Sequence, residues 1–155
     1  MKQLTILFLV RDNQVLLAMK KRGFGQGRWN GVGGKVETGE SLEEAAKREC
    51  YEEILVTPLN YQKVAEILFD EMHMEKRDRL QVHIFLCNKW QGTPQETDEM
   101  APKWFKKDEL PYNDMWSDDP HWLPRVLAGK KLRCEFKLGK DDKLLSKAIK
   151  EVDKF

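Results

Sequence analysis

With 155 residues, 41% of them hydrophobic and 34% charged, the chain has the balance of one globular domain spanning residues 1–155, with room for a real core and little for a second one. A formal net charge of +1 gives no global field to gather polymeric nucleic acid or a membrane surface, so any basic site must be local. Three cysteines without a CxxC pair argue against a disulfide framework or a zinc site and for a reducing, cytoplasmic setting, and the apolar start at residues 4–10 is too short to span a bilayer and lacks the flanks of a cleaved signal.

Residues 4–10 and 15–19 are apolar and β-rich, and they flank Arg11-Asp12-Asn13-Gln14, which predicts a hairpin whose strands are buried on both faces. Thr5 and Lys20 are its polar interruptions; on their own they read as a β-former and a solvated strand end. The loop KKRGFGQGRWN at residues 20–30 combines basic groups, glycines and two aromatics, a composition suited to phosphate oxygens and a stacked base. It matches neither the P-loop nor the dinucleotide fingerprint.

After the turn Gly31-Val32-Gly33-Gly34, Ser41 with Glu44 three residues on forms a capping box, predicting a helix over residues 41–54. At ~100° per residue, Leu42, Ala45 and Ala46 share one stripe that ends in Glu49 and Glu53, with Glu52 on its flank. Carboxylates crowded on a partly buried face call for protons or cations, and all-oxygen donors suit Mg²⁺, with Mn²⁺ as a substitute. Arg48 is placed at i,i+4 to hold Glu52. A solvated acidic helix fits the periodicity equally well.

Farther on, residues 61–69 and 80–90 are predicted strands separated by a charged hairpin loop at residues 70–79. His83 reads as a strand residue rather than a ligand. Gln91-Gly92-Thr93-Pro94 is a turn, and residues 101–105 a short strand; Glu99, just before it, is by itself a solvated loop acid. Asp118 or Asp119 before Pro120 makes a helix N-cap, yet the same two acids, framed by Trp116 and Trp122, could form the floor of a base pocket. Burial and mutual repulsion there would leave one carboxyl protonated beside one ionised, a donor and an acceptor for a purine edge. Residues 132–138 read as a strand, whereas Leu144, Leu145, Ala148, Ile149 and Val152 carry helical spacing.

Gly34, Glu40 and Arg48-Glu49-Cys50-Tyr51-Glu52-Glu53 stand at the spacing Gly-x5-Glu-x7-Arg-Glu-U-x-Glu-Glu-x-Gly-U, so the segment at residues 34–56 resembles the signature box of the Nudix hydrolases. Cys50 takes an apolar position, and Leu55 replaces the final glycine, which bears on how the chain leaves the helix. The loop MKKRGFGQGRWNGVGGKV, the turn QGTPQETDEM and the segment DMWSDDPHW are similar to the members that hydrolyse oxidised purine nucleoside triphosphates. This resemblance implies an α+β fold, an α/β/α sandwich around a mixed sheet, and tilts the tail toward a closing strand. It implies metal ligands at the Gly33 carbonyl, Glu49, Glu52, Glu53 and Glu99, and nucleotide contacts at Thr5, Lys20, Asn30, Val32, Gly33, Gly34, Lys35, Trp116, Ser117, Asp118 and Asp119. Phe24, Phe69 and Trp122 would line the base pocket, although around residues 70–80 the match weakens.

The implied chemistry is Mg²⁺-dependent hydrolysis of 8-oxo or 2-hydroxy purine triphosphates to monophosphate and pyrophosphate by a monomer, sanitising the nucleotide pool. Glu53 or Glu99 would serve as the base, with Glu52 and Arg48 completing the catalytic set. Two rivals remain: a Nudix hydrolase of dinucleoside polyphosphates or capped RNA, and a non-catalytic nucleotide-binding module. The second predicts a damaged acid set, whereas Glu49, Glu52 and Glu53 are all present.

Overall fold

The two N-terminal apolar runs form β1 (Lys2–Arg11) and β2 (Gln14–Lys20), joined by a tight turn in which Asp12 takes a φ of 47°. They pair only at their near ends, Val10 with Val15 and Arg11 with Gln14, before β1 diverges into a second set of partners. This computed structural model describes residues 1–73 and 76–155. The remaining strands are β3 (Trp29–Asn30), β4 (Val32–Lys35), β5 (Thr57–His73), β6 (Lys76–Gln91), β7 (Met100–Lys106), β8 (Lys131–Leu138) and β9 (Leu144–Val152), with helices α1 (Leu42–Ile54) and α2 (Asp119–Leu127).

The sheet is mixed. Its path runs β3-β2-β1-β6-β5-β8-β9, with β4 paired to β1 and β7 to β2; β1–β6 and β5–β8 are parallel and the other pairings antiparallel. Alternation along β1 divides the core in two. Phe8 packs with Ile67, Ile84 and the α2 residues Trp122, Leu123 and Val126, whereas Leu7 and Leu9 pack with Phe85 and the α1 residues Ala46, Cys50 and Ile54. One helix therefore covers each face, the α/β/α arrangement expected, and the continuous apolar run of β1 is what burial on both sides requires. Among the described residues no helix is long and apolar enough to cross a membrane, and all three cysteines are free and buried.

Two sequence expectations are corrected. The charged stretch expected as a loop at residues 70–79 is largely strand, since β5 and β6 continue with Phe69 opposite Leu80, Asp70 opposite Arg79 and Glu71 opposite Asp78; residues 74–75 lie outside the described residues. Asp70 and Arg79 face each other as opposite charges, which supports the ribbon there, whereas Glu71 and Asp78 are like charges set opposite each other by the continuing ladder. The helical spacing of the tail is overruled by β8, against which β9 pairs antiparallel from Lys131–Val152 to Leu138–Leu144, in line with the closing strand.

Leu55, which replaces the box glycine, does not divert the chain. It takes φ 62°, ψ 32°, the left-handed cap a glycine would adopt, and its N–H donates to the Tyr51 carbonyl. An L-residue in that region costs about 1–2 kcal/mol, and the side chain is 39% exposed, so it recovers little by burial. Leu55→Gly is expected to stabilise the protein by about 0.5–1 kcal/mol in urea unfolding; an unchanged or lower midpoint would count against strain at this cap.

Candidate active site

Helix α1 begins where the capping box places it: the Ser41 side chain accepts from the Glu44 N–H at 3.1 Å. Its inward stripe is Ala45, Ala46, Cys50, Glu53 and Ile54, so a carboxylate, only 4% exposed, stands where a core helix would carry an apolar side chain. Glu53 Oε1 accepts the Gly33 N–H at 3.0 Å. Burial pushes its carboxyl up to about 8 against that hydrogen bond, with the charges of Glu49 and Glu99 adding to the rise. Burial likewise raises Glu49, opposed by the Arg48 guanidinium.

Arg48 is the organiser of this helix surface. Its Nε and Nη2 donate to the two Glu40 oxygens at 2.6 and 2.9 Å, a bidentate pair that holds Glu40 down to about 2. Nη1 reaches Glu49 at 2.9 Å and Glu52 at 3.3 Å, and Nη2 also donates to the Lys35 carbonyl at 3.1 Å. The i,i+4 contact with Glu52 is thus present, but Glu40 is the stronger partner.

Two of the expected metal ligands do not gather with the others. The Glu52 side chain is 55% exposed and the Glu99 side chain 59%, and among the described residues no three Asp, Glu, His or Cys side chains converge as a ligand cluster. At ~100° per residue Glu49 and Glu53 fall ~40° apart, while Glu52 lies ~100° from Glu53, which turns it to the flank where Arg48 draws it outward. The residues nonetheless fit a divalent cation. Glu49 and Glu53 form a crowded, oxygen-only pair whose carboxyls are both raised, the condition a cation relieves, and Gly34 leaves the space before Glu49 open: a Cβ there would lie 2.6–2.9 Å from the carboxylate.

On the other face of the sheet a cleft of about 270 Å³ opens between the strands and α2. Its lining is largely apolar, with Leu4, Ile6, Ile67, Val82 and Ile84, and includes the buried acids Asp118 and Asp119. Asp118 occupies the N-cap of α2 but makes no side-chain cap bond; instead its Oδ2 accepts the Trp122 indole N–H at 2.8 Å. Burial lifts Asp118 to about 6, and burial together with the Asp118 charge lifts Asp119 well above the usual range. Among the described residues Asp119 Oδ2 and Thr5 Oγ1 are buried without a hydrogen-bond partner, and both residues line the cleft. Such orphaned atoms at a cavity are where a polar ligand is missed.

The wall between acids and cleft is β4. Gly33 and Gly34 line the cleft, while the Gly33 N–H reaches Glu53 and Gly34 faces Glu49. Only glycine allows this approach to β1, because a Cβ at Gly33 would lie 1.8 Å from the Thr5 carbonyl oxygen.

Of the residues expected to touch nucleotide, Thr5, Lys20, Phe24, Asn30, Gly33, Gly34, Phe69, Trp116, Asp118, Asp119 and Trp122 line this one cleft. Lys20 has no ion pair among the described residues, and Asn30 Oδ1 accepts the Gly31 N–H at 2.8 Å, which turns its amide nitrogen to other partners. Phe24, 74% exposed, stacks on Trp116 with ring centres 5.3 Å apart. Val32, Lys35 and Ser117 do not line the cleft. Val32 is buried in the α1 side of the core, Lys35 is exposed at the end of β4, and the Ser117 N–H and hydroxyl both bond Asp142. Missed from sequence were Arg28 and Met100 in the lining and Asp142 behind it. Arg28 lay within the basic loop, but nothing local tied it to Asp142.

The model of the NUDIX domain matches residues 1–126. The chain is 44% identical over 151 residues to the oxidized purine nucleoside triphosphate hydrolase of Mus musculus, covering 97% of this chain and 96% of that protein. It is 42% identical over 152 residues to the protein of the same name from Danio rerio, covering 98% and 96%. The crystal structure of a MutT mutator protein from Bacillus halodurans superposes with a TM-score of 0.84 at 28% identity, covering 96% of this chain and 97% of that one.

Proposed function

The chain belongs to the NUDIX domain family, and from that premise we propose that it hydrolyses oxidised purine nucleoside triphosphates to the monophosphate and pyrophosphate. The observation that carries the reading is the shared wall: one short strand, β4, touches the buried acids of α1 through its Gly33 N–H and lines the base cleft with Gly33 and Gly34. A nucleotide whose base lies between Trp116 and the aspartates would therefore bring its phosphates toward Glu49 and Glu53. The names of the mouse and zebrafish relatives, matched over nearly their whole length, support the same substrate class.

We assign the gathered pair Glu49 and Glu53 to a divalent cation, Mg²⁺ by the hardness of the donors, with the Gly33 carbonyl and the exposed Glu52 and Glu99 side chains, which stand apart from that pair, turning inward to complete the set. When bound, that cation supplies charge to the polyphosphate and acidifies water. Glu53 or Glu99 takes the proton of the attacking water. Arg48 keeps the carboxylates of Glu49 and Glu52 oriented through its bidentate hold on Glu40, and Lys20 stands ready for the outer phosphate oxygens. At the far end Phe24 and Trp116 offer aromatic faces, while Asp118 and Asp119 present acceptor and donor to a purine edge.

Pyrophosphate release from 8-oxo-dGTP, 2-hydroxy-dATP, dGTP, dATP, a dinucleoside polyphosphate and a capped RNA, each with Mg²⁺, tests the reading. Preference for the oxidised nucleotides by about tenfold or more in kcat/KM is expected, the discrimination a polar pocket can supply. Equal rates on oxidised and unmodified nucleotides would remove the selectivity and leave a general hydrolase, and release from none of them would remove the activity.

A further inference from the structure

We propose that Asp142, which lies behind the cleft rather than in it, is a positioning residue that holds the Trp116 wall in place and so sets the cleft's selectivity among bases. The inference rests on the base-cleft reading above. Asp142 sits in the turn between β8 and β9, where Asp141 and Asp142 both take φ 58°. Consecutive left-handed L-residues are disfavoured, and such outliers persist where the surroundings over-determine them. What this turn achieves is visible in the contacts of the Asp142 carboxylate, whose side chain is only 12% exposed.

Its Oδ2 accepts the Ser117 N–H at 2.9 Å and its Oδ1 the Ser117 hydroxyl at 3.2 Å. Oδ2 also pairs with Arg28 Nη1 at 3.5 Å. That same Nη1 donates to the Met115 carbonyl at 3.0 Å, and the guanidinium lies 4.3 Å over the Trp116 ring. Both chain neighbours of Trp116 are therefore tied to one carboxylate, Ser117 directly and Met115 through Arg28, and the ring is covered by the cation that carboxylate holds. Phe24 stacks on the same ring, and a Cβ on Gly25 would come within 3.2 Å of it. The segment at residues 24–28 and the segment at residues 115–117 thus meet around an indole fixed from a third place in the chain. A charge-assisted network of this kind restricts a side chain far more than apolar contact alone.

Glycine accepts φ 58° freely, so Asp142→Gly deletes the carboxylate while easing the turn, and a folding defect is not the expected result. With 8-oxo-dGTP and Mg²⁺, KM should rise about tenfold with kcat within about twofold, and the ratio of kcat/KM for 8-oxo-dGTP over dGTP should fall about tenfold, the signature of lost binding rather than lost chemistry. Hydrogen exchange at the Ser117 amide should quicken by about tenfold or more in the nucleotide-free protein. Asp142→Asn, which retains one acceptor oxygen, should fall between. Asp141→Gly, in the same turn with the same φ but without the contacts to Ser117 and Arg28, should change neither kinetics nor exchange. Wild-type KM and base ratio in Asp142→Gly, unchanged exchange at Ser117, or a fall confined to kcat would each overturn the proposal. Failure of the functional reading is distinguishable, because it shows as absence of turnover in the wild-type protein before any variant is made.

Discussion

Glu53→Gln is expected to lower kcat by about a thousandfold or more while raising thermal stability above neutral pH, a combination that separates a functional acid from a structural one. The carboxylate is buried, accepts a single backbone N–H from Gly33, and lies in the field of Glu49 and Glu99. Its carboxyl in the folded chain is held up at about 8 against an ordinary value of 4.5. Between those values the folded protein retains a proton that the unfolded chain has released, so stability falls as pH rises from about 4.5 through about 8. Glutamine cannot titrate, and its carboxamide oxygen can still accept from Gly33. The variant should therefore show a flatter dependence of melting temperature on pH in metal-free buffer and a higher melting temperature at pH 8. Added Mg²⁺ should raise the wild-type melting temperature at pH 8 and raise that of the variant much less, since ligand linkage requires the ionised carboxylate. Turnover at the wild-type rate, or a pH slope identical in both proteins, would falsify the assignment of Glu53 to the cation and its water.

What the chain's order made visible was whatever local spacing encodes. Ser41 and Glu44 mark the start of α1, and the step from Ala45 and Ala46 to Glu49 and Glu53 marks its inward acids, because one helix carries the whole pattern. The same wheel placed Glu52 on the flank and Arg48 one turn before it, but could not show that Arg48 is anchored chiefly on Glu40, which is eight residues earlier and brought near by a turn rather than by helical periodicity. β4 was read only as a turn, since a strand consisting of Val32, Gly33, Gly34 and Lys35 has no alternation to detect and owes its pairing to β1. The apolar positions of β9 imitate a helix because only Leu144, Ile149 and Val152 are partly buried on this edge strand, leaving the intervening residues unconstrained by a core. Asp142 had no signal at all, and Arg28 was visible only as a member of the basic loop. They are 114 positions apart by number, and a contact of that range is set by the closing of the sheet.

Asp119→Ala is expected to lower kcat/KM for 8-oxo-dGTP by about a hundredfold and to bring it close to that for dGTP, because the cleft is left without the group that distinguishes the two bases. Asp118 and Asp119 share a buried end of the cleft, and burial with mutual repulsion keeps a proton on the pair after the first has left at about 6. We assign Asp118, whose Oδ2 takes the Trp122 indole N–H, as the ionised member and Asp119, whose Oδ2 has no hydrogen-bond partner among the described residues, as the protonated member that donates. Selectivity should therefore rise as pH passes about 6 and fall again at the higher pH where the second proton leaves. Asp119→Asn separates these limbs. Its carboxamide donates at every pH, so the upper fall should disappear while the limb at about 6 remains. Measuring the ratio of kcat/KM for 8-oxo-dGTP over dGTP across pH removes effects common to both nucleotides, including those of Glu53, and leaves the base contacts. An unchanged ratio in Asp119→Ala would mean that the bases are told apart elsewhere in the cleft, and an upper fall that survives in Asp119→Asn would assign the second proton to another group.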